Sequence, residues 1–234
     1  MGTLALLGFG PGGWGAALLG AAATTLLLAL AGFALGLVLG GLAAAGRIAG
    51  PAPLRLLATG YTTLLRGVPD LLVIYLLYFG GSAALGGIAG WFGHAGYVGV
   101  PPFWVGAVAL GLISGAYQAE VFRGAYAAVD RGQIEAARAV GMHRGLILRR
   151  VTVPLVARTA LPGLGNVWQI LLKDSALVSV TGLVELLRQA QVGAGSTRQP
   201  FPFYLTAGAL YLAITTVSNL AFARAEARAR RGLP

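Results

Sequence analysis

The sequence predicts an all-α integral membrane protein with about five transmembrane helices, its N-terminus outside and its C-terminus inside. Three observations carry this. First, 57% of the 234 residues are hydrophobic and only 10% are charged, against about 25% charged in a soluble domain. Second, Lys, Arg, Asp and Glu are absent from 1–46, 71–119 and 199–223. Each run exceeds the roughly 20 apolar residues that cross about 30 Å of hydrocarbon. Third, the 37 glycines and the many alanines suit helices whose backbones approach closely inside a bilayer.

The elements follow in order. Residues 1–17 form a periplasmic or interfacial segment, with "GFGPGGWG" (8–15) as a break before the first span. A transmembrane domain then covers 18–222. Its spans lie near 18–43, 69–90, 103–123, 160–183 and 202–222. The glycines and prolines of "GWFGHAGYVGVPPF" (90–103) divide the second span from the third. A basic tail, 223–234, ends the chain. No Lys or Arg precedes Arg47, so the basic region that opens a cleavable signal is not expected.

The arginines set the orientation. With the N-terminus outside, the inner side receives Arg47, Arg55 and Arg66, then Arg123 through Arg158, then Arg224, Arg228, Arg230 and Arg231. Only Arg188 and Arg198 fall outside, as the positive-inside rule requires. The net charge of +10 therefore marks loop topology and gives no reason to expect nucleic acid, because the arginines lie between apolar spans. Cysteine is absent, and His94 and His143 are far apart in the chain. Neither a disulfide framework nor a metal site is predicted.

The long inner loop, 129–158, reads as helical. Asp130 is placed to cap it and Glu135 to face the positive end of its dipole. "IEAARAV" favours helix, Gly141 ends or bends it, and a second amphipathic piece, "HRGLILRRVTV", leads to Pro154. Composition alone leaves two readings open: a basic loop resting on anionic headgroups, or a short helix facing a partner.

The spacing favours the partner. Glu135-Ala136-Ala137, three residues, Gly141, nine residues, then Val151-Thr152-Val153-Pro154 resembles the EAA loop of bacterial ABC importer permeases, E-A-A-x3-G-x9-I-x-L-P. Valines replace the isoleucine and leucine. Further stretches, "GYTTLLRGVPDLL" (60–72), "GAYQAEVFRGAYAAVDRGQIEAA" (115–137), "ALPGLGNVWQILLKDSALVSVTGLVEL" (160–186) and "STRQPFPFYL" (196–205), resemble the polar amino-acid uptake permeases. Within them the similarity points to the histidine/lysine/arginine/ornithine and octopine/nopaline group. "KDSAL" (173–177) stands where many relatives have "KDTSL". The match is weakest over 1–17.

The resemblance implies an ABC type I importer permease fold in the bacterial inner membrane. This chain would form half of the pathway for polar, basic amino acids or opines. It would work with a second related permease, a cytoplasmic ATPase dimer and a periplasmic amino-acid-binding protein. Gly132, Gln133, Glu135, Ala136, Ala137, Gly141 and Pro154 would couple it to the ATPase. ATP and Mg would be bound by that partner, for this chain has no G-x4-G-K-[ST] phosphate loop and is expected to be neither an enzyme nor a cofactor carrier. The alternative is a secondary transporter or another multispanning membrane protein without an ATPase partner; a secondary transporter is usually built from inverted repeats, and no convincing repeat is seen.

Charged groups inside spans are costly, so each asks for a reason. Tyr117, Glu120 and Arg123 share one helix face. Glu120 is either a structural ion pair with Arg123 or a group on the substrate path that attracts a cationic amine. Lys173 and Asp174 interrupt the fourth span and point about 100° apart in a helix. In one arrangement Lys173 meets Glu120 across the bundle and leaves Asp174 for the pore or another subunit. Arg66, Gly67, Pro69 and Asp70 form a turn into the second span, and for Arg66 and Asp70 three roles are open: acting on substrate, gating, or a cytoplasmic salt bridge.

Overall fold

The computed structural model describes residues 6–84 and 100–230. Among them there is helix and no strand. Helix α1 (Gly15–Ala49) is followed by α2 (Ala52–Gly67) and α3 (Asp70–Tyr75), which continues through a π-turn at Leu76–Gly80. Next come α4 (Pro102–Ala127) and α5 (Arg131–Ala139). Helix α6 (Arg144–Ile147) runs through a π-turn at Leu148–Thr152 into α7 (Val153–Asp174). A 3-10 stretch, Ser175–Thr181, leads to α8 (Leu186–Thr197) and α9 (Pro200–Arg230).

Three described helices are long and apolar enough to cross a membrane: Gly15–Ala49, Pro102–Ala127 and Pro200–Ala229. Ala52–Gly67 and Asp70–Ala84 meet at 109° and make a fourth if the bent pair is one span. The bend falls where "GVP" predicts a turn. Val68 is extended, at φ −101° and ψ 137°, as the residue before a proline prefers, and Pro69 then caps α3.

The centre of the bundle is the seam between α1 and α4. Gly32, Gly36 and Gly40 recur every four residues and so lie along one ridge. A Cβ on Gly36 would stand 2.3 Å from Ser114 Oγ, and one on Gly40 would stand 2.8 Å from the Gly115 carbonyl oxygen. Only bare backbone permits this approach, as in small-residue helix pairs of membranes. Ser114 Oγ donates to the Gly32 carbonyl at 3.3 Å and Gln118 Nε2 to that of Phe33 at 3.4 Å, tying the same seam. Leu28, Leu110 and Ile113 are buried beside it.

Several expectations are corrected. The stretch between the first two spans is helix α2 and not a loop: Pro51 and Pro53 open it, as prolines can at a helix start, and Arg55 and Arg66 interrupt its hydropathy but not its backbone. The fourth helix begins well before 160. Pro154 cannot donate to the Arg150 carbonyl, and the π-turn at Leu148–Thr152 re-registers the chain so that it continues as helix. That helix also ends earlier, at Asp174, and α8 occupies part of the expected link to the fifth span. The segment before the first span folds back: Leu6 is buried with Leu18, Leu186 and Phe203, and Trp14 meets Phe203 edge-on with centroids 5.5 Å apart. The basic tail continues α9 as far as Arg230. His94, the end of the expected second span and most of the 90–103 break lie outside the described residues.

Candidate functional site

Two charged regions stand out, one at each side of the connection from α4 to α5. The first is the segment around Glu135. Asp130 precedes α5 in extended conformation, and its Oδ1 accepts from Gly132 N at 2.9 Å, the capping bond expected from sequence. The helix has no acid in its first turn. Glu135 therefore stands in the second turn, beyond the strongest part of the dipole, and Asp130 is the acid at the positive end.

The other end of α5 is closed as locally. Gly141 has φ +81°, a conformation that glycine adopts without steric cost. Met142 N donates to the Ala137 carbonyl at 3.1 Å and Gly141 N to that of Arg138 at 2.9 Å. This pair of bonds is the Schellman closure of a helix end. His143 then caps α6, its Nδ1 accepting from Leu146 N at 3.3 Å. Glu135, Ala136, Gln133 and Gly132 are exposed, and Ala137 is buried against the body. Gln133 and Ala136 face Arg150, Pro154, Leu155 and Arg158 across a groove, so the structure brings the two halves of the motif together.

The second region is centred on Glu120. Arg47 at the end of α1 donates to Glu120 Oε1 and also to Thr62 Oγ1 of α2 at 3.1 Å. Arg66 Nη1 lies 3.5 Å from the same carboxylate, and Arg123 Nε donates to Oε2 at 2.9 Å. The Arg66 guanidinium also stacks over Tyr117, 5.8 Å from its ring centroid. The expected Glu120–Arg123 pair is present, with two more arginines from other helices. Lys173 is not among the partners of Glu120. It is exposed near the end of α7, so the pairing across the bundle is corrected: Arg47 and Arg66 approach from the helices packed on α4 and take up the carboxylate first.

Asp174 instead falls in one electrostatic neighbourhood with Asp70 and Tyr117, which also feels Arg66. Asp70 and Asp174 are partly buried and Tyr117 likewise. Gly67 and Pro69 sit exposed at the bend between α2 and α3. Among the described residues no cluster of His, Asp or Glu has the makings of a metal site.

Sequence reasoning missed Arg47, Thr62 and Glu185. Arg47 carries a signal, since it is the first charge after a 46-residue uncharged run and so must end the first span. Glu185 is fully buried. It caps α8 by accepting from Leu187 N at 2.9 Å and Arg188 N at 2.7 Å, and Tyr211 OH donates to it at 3.1 Å. Glutamate is an unusual cap, so nothing in the pattern "VELLR" marks it.

Comparison with known proteins decides the family. The model for the inner membrane component of binding-protein-dependent transport systems matches residues 36–231. The chain belongs to this family. It is 58% identical over 228 residues to the octopine transport system permease protein OccQ of Rhizobium radiobacter, covering 97% of this chain and 96% of the relative. The histidine/lysine/arginine/ornithine transport system permease protein HisQ of Escherichia coli is 42% identical over 207 residues, covering 88% of this chain and 90% of the relative. The solved structure of an amino acid ABC transporter with histidines superposes with a TM-score of 0.74 at 34% identity, over 87% of this chain and 90% of that one. This member is thus an integral membrane permease with the ABC importer permease fold, as the EAA spacing implies.

Proposed function

We propose that this permease forms half of the translocation pathway of an ATP-driven importer for opines or basic amino acids, in a bacterial inner membrane. It crosses the membrane five times with the N-terminus outside, and α5 projects into the cytoplasm. Its partners are a second related permease, an ATPase dimer that binds ATP and Mg, and a periplasmic binding protein. The observation that carries the reading is α5 itself. It is capped by Asp130 and closed at Gly141 by its own backbone bonds, and it exposes Glu135 and Ala136 beside a groove. A short helix that holds its own shape can transmit the closure of a partner as a rigid displacement of α4 and α7, which is coupling between two states. The amino-acid or opine class follows from the names of the relatives.

On the substrate side, Tyr117 and Asp174, with Asp70, offer a cationic amine a ring and two carboxylates. Glu120 lies three residues beyond Tyr117 but is held by arginines, so its part is to organise the path. Lys173 stands at the end of α7 beside Asp174. Arg66 and Asp70 flank the bend at Gly67 and Pro69 and act in gating.

The test is ATP-dependent uptake by the reconstituted transporter. Glu135→Lys and Gly141→Val should each abolish uptake, or release the ATPase, while insertion of the permease survives. At Gly141 a β-branched residue must hold φ +81°, which costs about 1–2 kcal/mol. Normal uptake in both variants would remove the coupling assignment.

A further inference from the structure

A cleft opens where α1, α4 and the start of α7 meet. It measures about 390 Å³ and is lined by Ala44, Ala45 and Ile48 of α1, Phe122 of α4, and Val153 and Val156 of α7. Thr152 and Tyr126 bring the only polar side chains. The size is within the range of pockets that hold small ligands. Along α1 the cleft runs from Gly41 to Ala49, about 12 Å at helical rise. Gly41 stands about 9 Å before Arg47, the first charge of the chain. The cleft therefore starts within the apolar span and ends at its boundary. Helices α1 and α4 run parallel here, with Gly32 by Leu110 and Gly40 by Ala119. Phe122 thus lies deeper than Tyr126, which stands at the depth where tyrosines of membrane proteins gather.

The boundary end is basic. Arg144 and Arg149 are exposed and flank Leu148 of the lining, one turn before it and one residue after it. Arg149 also lies one turn before Val153. Neither has an ion pair among the described residues, where every pair belongs to Glu120. Around them, residues 129–158 hold six arginines against Asp130 and Glu135. We infer that the cleft binds an anionic phospholipid of the inner leaflet, with one acyl chain beside Ile48 and Phe122 and the phosphate at Arg144 and Arg149. The inference rests on the orientation proposed above, which puts this end of α1 on the inner side. An apolar slot that ends in guanidiniums matches a chain that ends in an anion. Arginine binds phosphate through its planar fork, and anionic lipids of the inner leaflet are drawn to basic residues beside a span. A second permease is the other candidate cover, and charge disfavours it: a second copy would set its own inner arginines against Arg144 and Arg149.

The experiment places the permease pair with its ATPase in phosphatidylcholine nanodiscs. A trace of phospholipid with a photoreactive acyl chain is added, as phosphatidylglycerol or as phosphatidylcholine, and labelled peptides are measured by mass spectrometry. Phosphatidylglycerol should label the segments around Ile48 and Phe122 about fivefold more than phosphatidylcholine, or better, which is the factor one arginine near an anionic surface supplies. Arg144→Gln/Arg149→Gln should bring the two lipids level. Ala45→Phe, at an exposed alanine of the lining, should reduce labelling by both, and the unfolding midpoint checks that it folds. Equal labelling by the two lipids in the wild type overturns the inference, as does a preference that survives in the arginine variant. Labelling that appears only after the two permeases are separated shows that the second permease covers the cleft, and the inference fails. The chain has no cysteine, so Gly145→Cys, at an exposed site, reports the side of the loop to a membrane-impermeant maleimide. Labelling in spheroplasts would overturn the orientation, and the leaflet with it. A cysteine reached only from the inner side, with no preference for phosphatidylglycerol, overturns the lipid site alone.

Discussion

The Asp130–Gly141 segment and the Glu120 cluster adjoin in sequence and are built in opposite ways. The segment closes itself: a cap two residues away, a Schellman turn, and one buried alanine against the body. The cluster closes the bundle, for Arg47 reaches Glu120 across 73 positions and Arg66 comes from a third helix. One is a rigid piece loosely held, the other a knot that fixes α1 and α2 to α4. The contrast suits a machine in which a small part moves and a frame answers.

The comparison can be broken most severely at the frame. Gly40→Leu should cost about 3 kcal/mol or more, because its Cβ would meet the Gly115 carbonyl oxygen at 2.8 Å and Ala119 N at 3.0 Å, and backbone cannot step aside. Loss of monodisperse protein in detergent would be the readout. Glu120→Gln comes next. Hydrogen bonds to charged groups contribute about 1.5–3 kcal/mol each, and the variant leaves three arginines facing one another. Its unfolding midpoint should fall clearly, with uptake reduced further than the stability loss explains. A stable variant with full uptake would show that the knot is dispensable.

Asp130→Ala sharpens the other side. Removing the cap costs about 1 kcal/mol, confined to α5, so the global midpoint should hold while amide exchange in 131–139 accelerates and coupling weakens. Arg123→Gln should have the smallest effect. Its side chain is 48% exposed, against 18% for Arg47, and exposed ion pairs contribute little. If Arg123→Gln proved more damaging than Arg47→Gln, the order of importance within the cluster would be reversed.

The two regions were unequally legible. Asp130, Gly141 and Pro154 announce themselves because caps, left-handed turns and proline effects depend on residues a few positions away. The same holds for the Val68-Pro69 bend. The partners of Glu120 were half legible: Arg123 lies one turn away, but Arg47 and Arg66 arrive through packing that no local pattern encodes, and Lys173 looked equally suitable on charge alone. Helix α2 was hidden because two arginines interrupted its hydropathy. Glu185 was hidden because its burial depends on α8 folding against α9, with Thr25 of α1 accepting from Leu186 N at 3.0 Å.

By itself the sequence determined that this is a multispanning helical membrane protein with a basic, capped, glycine-terminated segment in its middle, and the spacing of that segment already implied the family. These are properties of composition and of neighbours in the chain, where hydropathy and backbone stereochemistry act. Only the tertiary structure decided which charges meet. The glycine ridge of α1 lets α4 approach until Arg47 reaches Glu120. The π-turn before Pro154 keeps the chain helical from α6 into α7, and the bend at Pro69 carries Asp70 into the electrostatic neighbourhood of Asp174. Electrostatic partners are chosen by distance in space, and distance is fixed only when the helices have packed.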